Sequence, residues 1–508
     1  MAGLIVLAKE RNPSFIFTYY YKKRCKLRNI SGICNYVKDD KHSDKYLKNT
    51  FYHVLYIKNV YLCRKFIDMK IQRDILIDLK RWKNSRYRKP LVLQGARQTG
   101  KSFILQQFGE QCFDNYCYVN FDLEKEHKEE FAKTKNPVRL VDYLVAVKGV
   151  NISSEKTLII FDEIQECNDA LNALKYFNEQ MPEQAVVCAG SLLGVALKRQ
   201  GASFPVGNVD FLTLYPVSFK EFLALHNEKL FLYLEKYIAT NQLDTIPEIL
   251  HSQLIDSYKI YLCCGGMPET IVRYLENRDW TEADIVNNQV LTAYTLDFTK
   301  HIDSKDIPRL HRLWQNIQDN LAKEDRKFRY ALIEKNTRAR EYEDAVEWLV
   351  LSGLVHRVYE VQTPRLPVAS YKNSSAFKLY LADAGLLRTK FRLEPGTVMK
   401  GNQLFVEFRG ILTENYILQS LVRQFGNEIF YWTSGNSAEV EFILQKSNRI
   451  IPIEAKSAFS VKSRSLSEYR KKYAPELSVR FSLKNVEKND DLINLPLYLA
   501  DWLNTFLI

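Results

Sequence analysis

The chain has 508 residues, 46% hydrophobic and 13% aromatic, which is room for several domains with substantial cores. Its formal charge of +12 is uneven, because residues 1–68 hold 14 Lys and Arg against 5 acids (14 − 5 = +9) and the rest carries only 12 − 9 = +3. No run approaches the ~18 apolar residues of a membrane span, the apolar start is too short for a signal-peptide core, and so modest a charge on the body does not by itself call for nucleic acid.

Residues 1–68 interleave Tyr with Lys and Arg, most densely at 19–24. That pattern suits single-stranded nucleic acid or a membrane surface, but a poorly ordered extension is the expectation here, with Met69 a natural start for the folded body. From 69 to 82 the apolar positions Ile71, Ile75, Leu76, Leu79 and Trp82 recur at helical spacing. Residues 90–94 then read as a short buried strand and 103–108 open a helix. Between them stand Gly95, Ala96, Arg97, Gln98, Thr99, Gly100, Lys101 and Ser102, matching G-x-x-x-x-G-K-[ST] at every required position. Glycines let the backbone turn its N–H groups inward onto phosphate oxygens. Lys101 then reaches the outer phosphates and the Ser102 hydroxyl takes a place on Mg²⁺.

Residues 116–121 read as a second strand, 131–147 as a helix and 157–161 as a third strand, an alternation that implies a parallel sheet with its ligand at the carboxyl ends. The third strand runs into Asp162 and Glu163. Four apolar residues followed by two acids is the Walker B pattern, with Asp162 beside the metal and Glu163 placed to polarise the attacking water. A fourth strand, 185–190, delivers Ser191 to the same edge. Ser191 fits both a γ-phosphate sensor and the N-cap of a helix over 192–198.

The segments GARQTGKS, LIIFDEIQ, AGSLLG and LYPVSFKEFL, in this order and spacing, resemble a widespread prokaryotic family of AAA+-type ATPases whose C-terminal region is catalogued as a domain of unknown function. The resemblance runs from about residue 69 to the end and includes GGMPET (265–270) and KLYLADAGLL (378–387). It implies ATP rather than GTP, and a basic residue where this chain has Asn208. Arg199, Arg273, Arg309 and Arg312 are the candidates to replace that residue.

Residues 226–308 suit the helical lid of such an ATPase. Residues 309–390 read as short helices, an amphipathic helix over 338–351 and a hairpin of 353–358 with 378–381, consistent with a winged helix. Within it, residues 323–340 hold seven Lys and Arg against three acids (7 − 3 = +4), enough to follow a phosphate backbone. In the last domain, 391–508, residues 439–444 and 450–456 read as neighbouring strands. Glu454 and Lys456 have the E-x-K spacing of PD-(D/E)XK nucleases and share one face of a strand. Glu441 lies 13 positions earlier, in the place of the usual Asp, and Glu414 matches the acidic residue of a helix over 407–424. Three carboxylates of this kind can hold Mg²⁺, with Lys456 orienting water.

The expected architecture is therefore α/β: a P-loop NTPase parallel sheet (69–225) with a helical lid, a winged-helix domain and a PD-(D/E)XK nuclease-like domain. The expected cofactors are ATP and Mg²⁺. Expected partners are the nucleotide and, through the basic stretch, DNA; a protein partner or a second copy stays open and a membrane is not expected. Nine cysteines without a C-x-x-C pair, Cys263 and Cys264 being adjacent, fit free thiols in a reducing cytoplasm. Two rival functions remain: a nucleotide-gated regulator that cuts nothing, and an ATP-dependent DNA nuclease.

Overall fold

The computed structural model describes residues 71–508 except 196–206, 241, 301, 324, 334–337, 401–405, 436–437, 459–463 and 508. The expectations for residues 1–68 and for Arg199 lie outside the described residues.

The first sheet contains β1 (Leu91–Gln94), β2 (Asn115–Asn120), β3 (Thr157–Asp162), β4 (Val186–Ala189) and β5 (Asp210–Thr213) in the order β2-β3-β4-β1-β5. Every neighbouring pair is parallel. β3 and β4 are buried at each position, as strands covered on both faces must be, so they read as unbroken apolar runs. Side chains alternate between two cores. Leu91 and Leu93 pack with α1 (Ile75–Lys83) and α2 (Lys101–Cys112) through Leu79, Trp82, Ile104 and Phe108. Val92 and Phe161 pack on the other side with α3 (Glu126–Lys133), α4 (Pro137–Lys148) and α5 (Asn168–Gln180) through Phe131, Leu140 and Phe177.

Two details differ from expectation. The single helix read over 131–147 is α3 and α4, because Pro137 lacks an N–H and takes the first position of a new helix, which Asn136 caps by accepting from Arg139 N at 3.2 Å. The helix read from residue 69 becomes regular only at Ile75.

Five helices follow: α6 (Phe219–His226), α7 (Glu228–Thr240), α8 (Glu248–Cys264), α9 (Pro268–Asn277) and α10 (Trp280–Asp297). Ser218 and Glu221 form a reciprocal capping box at the start of α6. Next come α11 (Ile307–Leu321), α12 (Glu343–Leu351), β6 (Val355–Val361), β7 (Lys372–Leu381), α13 (Ala384–Lys390), α14 (Pro395–Lys400) and α15 (Val406–Phe425). The helix read over 338–351 starts with a 3-10 turn, Ala339–Glu341, and is α-helical only from Glu343.

The chain ends with β8 (Ile429–Thr433), β9 (Glu439–Lys446), β10 (Arg449–Ala455), α16 (Arg464–Tyr473), β11 (Ser478–Ser482), β12 (Glu487–Asn489), β13 (Leu492–Pro496) and α17 (Leu503–Phe506). The second sheet has the order β12-β13-β11-β10-β9-β8-β6-β7. The β6–β7 hairpin therefore continues this sheet, with β6 parallel to β8 and Tyr359 opposite Phe430. The division expected at 390/391 cuts through that hydrogen-bonded sheet. A single core runs from Tyr258 and Tyr261 of α8 through Tyr416 of α15 to Ile453 and Phe481 of the sheet.

Candidate nucleotide site and the C-terminal carboxylate cluster

β1 is central in its sheet and delivers Gly95 at its carboxyl end. Gly95 has φ +147°, and a Cβ there would lie 2.2 Å from the Leu214 carbonyl oxygen. Gln98 and Gly100 also have positive φ, +65° and +93°, so the loop curls before α2 begins at Lys101. The backbone amides from Ala96 to Ser102 donate no hydrogen bond to any described residue. The loop is instead braced from behind: Thr99 Oγ1 donates to Ala96 O at 2.9 Å, and Arg73 Nη1 to Thr99 O at 3.1 Å. Lys101 Nζ donates to Gly95 O at 2.9 Å and Ala96 O at 2.8 Å. Burial pulls its ammonium down to about 8, against the opposing pull of Glu163 and Asp162. Gly95→Ala is expected to displace this loop, cost about 1–3 kcal/mol of stability and weaken nucleotide binding. A melting curve and a nucleotide titration check this; unchanged affinity would remove the loop from the site.

Asp162 ends β3, 2% exposed. Its Oδ2 accepts from the Tyr118 hydroxyl at 2.6 Å and its Oδ1 from Glu163 N at 3.0 Å. Glu163 has φ +49°, which turns it off the strand axis. Its carboxylate accepts from Gln165 Nε2 at 2.5 Å. Burial raises the Glu163 carboxyl above its ordinary range, while Gln165, Lys101 and Arg97 draw it back. Gly190, at the end of β4, leaves room for Gln165: a Cβ there would stand 2.2 Å from Gln165 Oε1. Ser191 follows, half-buried, and residues 193–195 are helical before the described chain breaks off. Lys101, Asp162 and Glu163 thus face one another, and Ser191 lies at the same sheet edge. Tyr118, Gln165 and Arg73 belong to this setting too. No local pattern marks Tyr118 or Arg73 as part of the site, whereas Gln165 sits in the DEIQ segment already noted.

Two elements beyond the first sheet reach the loop, α10 and the turn at Gly353. Arg97 Nη1 pairs with Asp297 of α10 at 2.5 and 2.6 Å. The Tyr294 hydroxyl donates to Arg97 O at 2.9 Å. Gly353 passes so close that a Cβ on it would lie 3.2 Å from Ala96 N. Of the arginines considered as replacements for a basic residue at 208, Arg273 pairs with Glu269 and Glu282, and Arg309 pairs with Asp306 at 2.8 Å. Arg312 is also engaged. Asn208 accepts from Asn178 at 2.8 Å.

The second constellation comes together, but as an ion-pair cluster. Lys456 Nζ lies 3.0 Å from Glu441 Oε1 and 3.1 Å from Glu454 Oε1, and Arg480 Nε lies 3.1 Å from Glu454 Oε2. Glu414 pairs with Arg326 and accepts from the Tyr380 hydroxyl at 3.3 Å; Glu439 pairs with Lys378. Four carboxylates face four cations, a balance of 4 − 4 = 0. Among the described residues no group of three or more His, Cys, Asp or Glu is arranged to hold a metal ion. Of the expected Mg²⁺ set, Glu441 and Glu454 therefore meet at the Lys456 ammonium, and the guanidiniums of Arg480 and Arg326 pair with Glu454 and Glu414. Burial holds the Glu441 carboxyl up at about 7 despite Lys456. Its Oε2 is buried and has no hydrogen-bond partner. The basic stretch 323–340 is also partly spent on pairs, Arg326 with Glu414, Lys327 with Glu360 at 3.4 Å and Arg329 with Asp325 at 2.5 Å.

Residues 87–223 match the family described as an AAA domain. Residues 255–397 and 409–498 match two families described as domains of unknown function, DUF8612 and DUF4143. No curated protein matches the chain. Among solved structures, the Walker-type ATPase of Pyrococcus abyssi is 16% identical, with 63% of this chain and 95% of that one covered, at a TM-score of 0.40. The Aeropyrum pernix ORC2 protein with ADPNP and ADP is 12% identical, covering 71% and 93%, at 0.30. The Thermotoga maritima RuvB branch-migration motor is 15% identical, covering 54% and 82%, at 0.25. Residues 87–223, which hold the 95–102 loop, Asp162 and Glu163, are thus similar to an AAA domain, and the two families matched after them have descriptions that state no function.

Proposed function

We propose that the chain binds ATP with Mg²⁺ at the 95–102 loop, hydrolyses it, and passes the nucleotide state to the helices and sheet that follow, without cutting nucleic acid. The observation that carries this reading is the curled loop before α2, with positive φ at Gly95, Gln98 and Gly100 and amides from Ala96 to Ser102 that make no hydrogen bond of ordinary length and angle to a described residue, beside the ammonium of Lys101. Unpaired donors in a turn before a helix are a receptor for phosphate. Lys101 leaves the Gly95 and Ala96 carbonyls to meet the outer phosphates. Ser102 and Asp162 fit Mg²⁺, one being a hydroxyl on the first turn of α2 and the other a buried carboxylate oriented by Tyr118. The ion supplies positive charge against the developing phosphate charge. Glu163 takes the proton of the attacking water, and its raised pKa makes it a stronger base than an exposed glutamate. Ser191 serves as γ-phosphate sensor. The helices α7 to α10 act as lid, with Arg97–Asp297 as the contact that nucleotide displaces.

The charge-balanced cluster around Lys456 favours a regulator over a nuclease, and three of the seven basic residues of 323–340 are already paired within the chain. One observation favours cutting, the unpartnered Oε2 of Glu441. No helix among the described residues is long and apolar enough to cross a membrane. The six described cysteines are free thiols, which supports a reducing cytoplasm. ATP turnover measured with and without DNA, beside a Mg²⁺-dependent cleavage assay on wild type and Lys456→Ala, tests the whole. The expected outcome is turnover unaffected by DNA and no cleavage. DNA-stimulated turnover with cleavage lost in Lys456→Ala would overturn the regulator reading.

A further inference from the structure

A cavity of about 220 Å³ lies where α8, α14 and α15 meet the end of β10. That is roughly seven liquid water volumes. Its polar lining is one-sided: Lys259, Lys400, Arg409, Tyr258, Thr413 and Ser457 line it, and no acid among the described residues does. Among the described residues no carboxylate pairs with Lys400 or Arg409. Lys259 pairs with Asp256 at 3.1 Å. Among the described residues the local balance is therefore 3 − 1 = +2.

Two buried polar atoms point to an absent partner. Tyr258 is 2% exposed, yet its hydroxyl finds no hydrogen bond of acceptable geometry, although Thr413 stands beside it. Arg409 Nε is also buried and unpartnered. Burying such donors without a bond costs about 1–3 kcal/mol each, and both residues stand in the cavity wall. This is not the cluster around Lys456. Ser457 lines the cavity, whereas Lys456, Glu441 and Glu454 do not.

We infer that this cavity binds a small phosphorylated molecule. A phosphomonoester carries about −1.5 to −2 charges at neutral pH and three acceptor oxygens, matching the +2 balance and the donors. The remaining lining is apolar leucine, valine and methionine, which suits a compact non-polar or ring-shaped remainder. Walls from four elements leave a pocket rather than a groove, favouring a small molecule over a nucleic-acid strand. The ligand would tie the helical segment to the C-terminal sheet. None of this depends on nucleotide binding at the 95–102 loop.

Inorganic phosphate titrated calorimetrically into the full chain carrying Lys101→Ala tests the assignment, since that background weakens the phosphate loop. A saturable site is expected, weakened about tenfold or more by adding Lys400→Ala and Arg409→Ala. Tyr258→Phe, which deletes one hydroxyl and leaves the fold intact, should weaken it a few-fold, so the inference stays testable should the other pair disturb folding. Phosphate binding indifferent to these changes, the lack of a saturable site, or displacement of phosphate by a short single-stranded oligonucleotide would each overturn the inference.

Discussion

Lys101→Ala is expected to lower ATP turnover roughly 10²–10³-fold, the usual effect of deleting one electrostatic donor from a preorganised site. The ammonium is 7% exposed and burial depresses it to about 8. Two consequences follow with opposite signs. In the free protein the neutral amine is the better buried form. Between about pH 8 and the ordinary lysine value of 10.5 the unfolded chain binds more protons than the folded one, so this group's contribution to stability rises with pH. Phosphate binding needs the cation, so nucleotide affinity falls as pH rises past about 8, and binding there takes up a proton. Calorimetry in buffers of different ionisation enthalpy measures that uptake. Lys101→Met keeps the apolar stem and separates lost charge from lost packing. Glu163→Gln should instead retain affinity and lose turnover. If Lys101→Ala bound nucleotide as tightly as wild type without proton uptake, the site would have to be sought elsewhere.

How far the sequence carried depended on the range of the interaction that decides each element. β1, β3 and β4 were legible because strands buried on both faces must be apolar throughout, Gly95 because a close backbone approach excludes a Cβ, and Gly100 because its φ of +93° favours glycine. β5 was not anticipated. It is four residues long, only partly buried, and begins with Asp210, so nothing in its composition marks it; pairing with β1 makes it a strand. Pro137 did mark the break between α3 and α4, and an apolar period that ran through it masked the signal. The β6–β7 hairpin was visible locally, but its union with β8 depends on register across some seventy residues. The cluster around Lys456 shows the same limit from the chemical side. E-x-K spacing placed Glu454 and Lys456 on one face, while the other cations of the cluster, Arg480 on Glu454 and Arg326 on Glu414, come from distant segments with no local pattern.

Glu221 gives the sharpest case. Ser218-x-x-Glu221 is readable as a capping box, and on that ground alone Glu221→Ala would cost about 1 kcal/mol. The structure asks for more. Glu221 is buried between Arg73 at 3.1 Å and Arg423 of α15 at 3.1 Å, and also accepts from Asp74 N and Ser218 N at 2.8 Å each. Removing it leaves two buried guanidiniums without their shared counter-charge, for which a loss of about 3–5 kcal/mol is expected. Its protonation supplies an independent measure. Burial alone would raise the carboxyl, but Arg73, Arg423 and the two amides hold it down to about 2. A depressed carboxylate stabilises the fold above its unfolded pKa near 4.5 and loses that contribution as pH falls through about 2, an interval worth roughly 3 kcal/mol. Arg73 also holds Thr99 O of the phosphate loop and Arg423 holds Pro216 O, so one carboxylate joins the nucleotide loop to the longest helix of the C-terminal region. Glu221→Gln keeps the capping bonds and removes the charge. Urea unfolding of both variants, with nucleotide affinity measured on each, therefore separates the cap from the ion triad. A loss near 1 kcal/mol in Glu221→Ala, with nucleotide affinity unchanged, would reduce Glu221 to a cap and leave the loop uncoupled from α15.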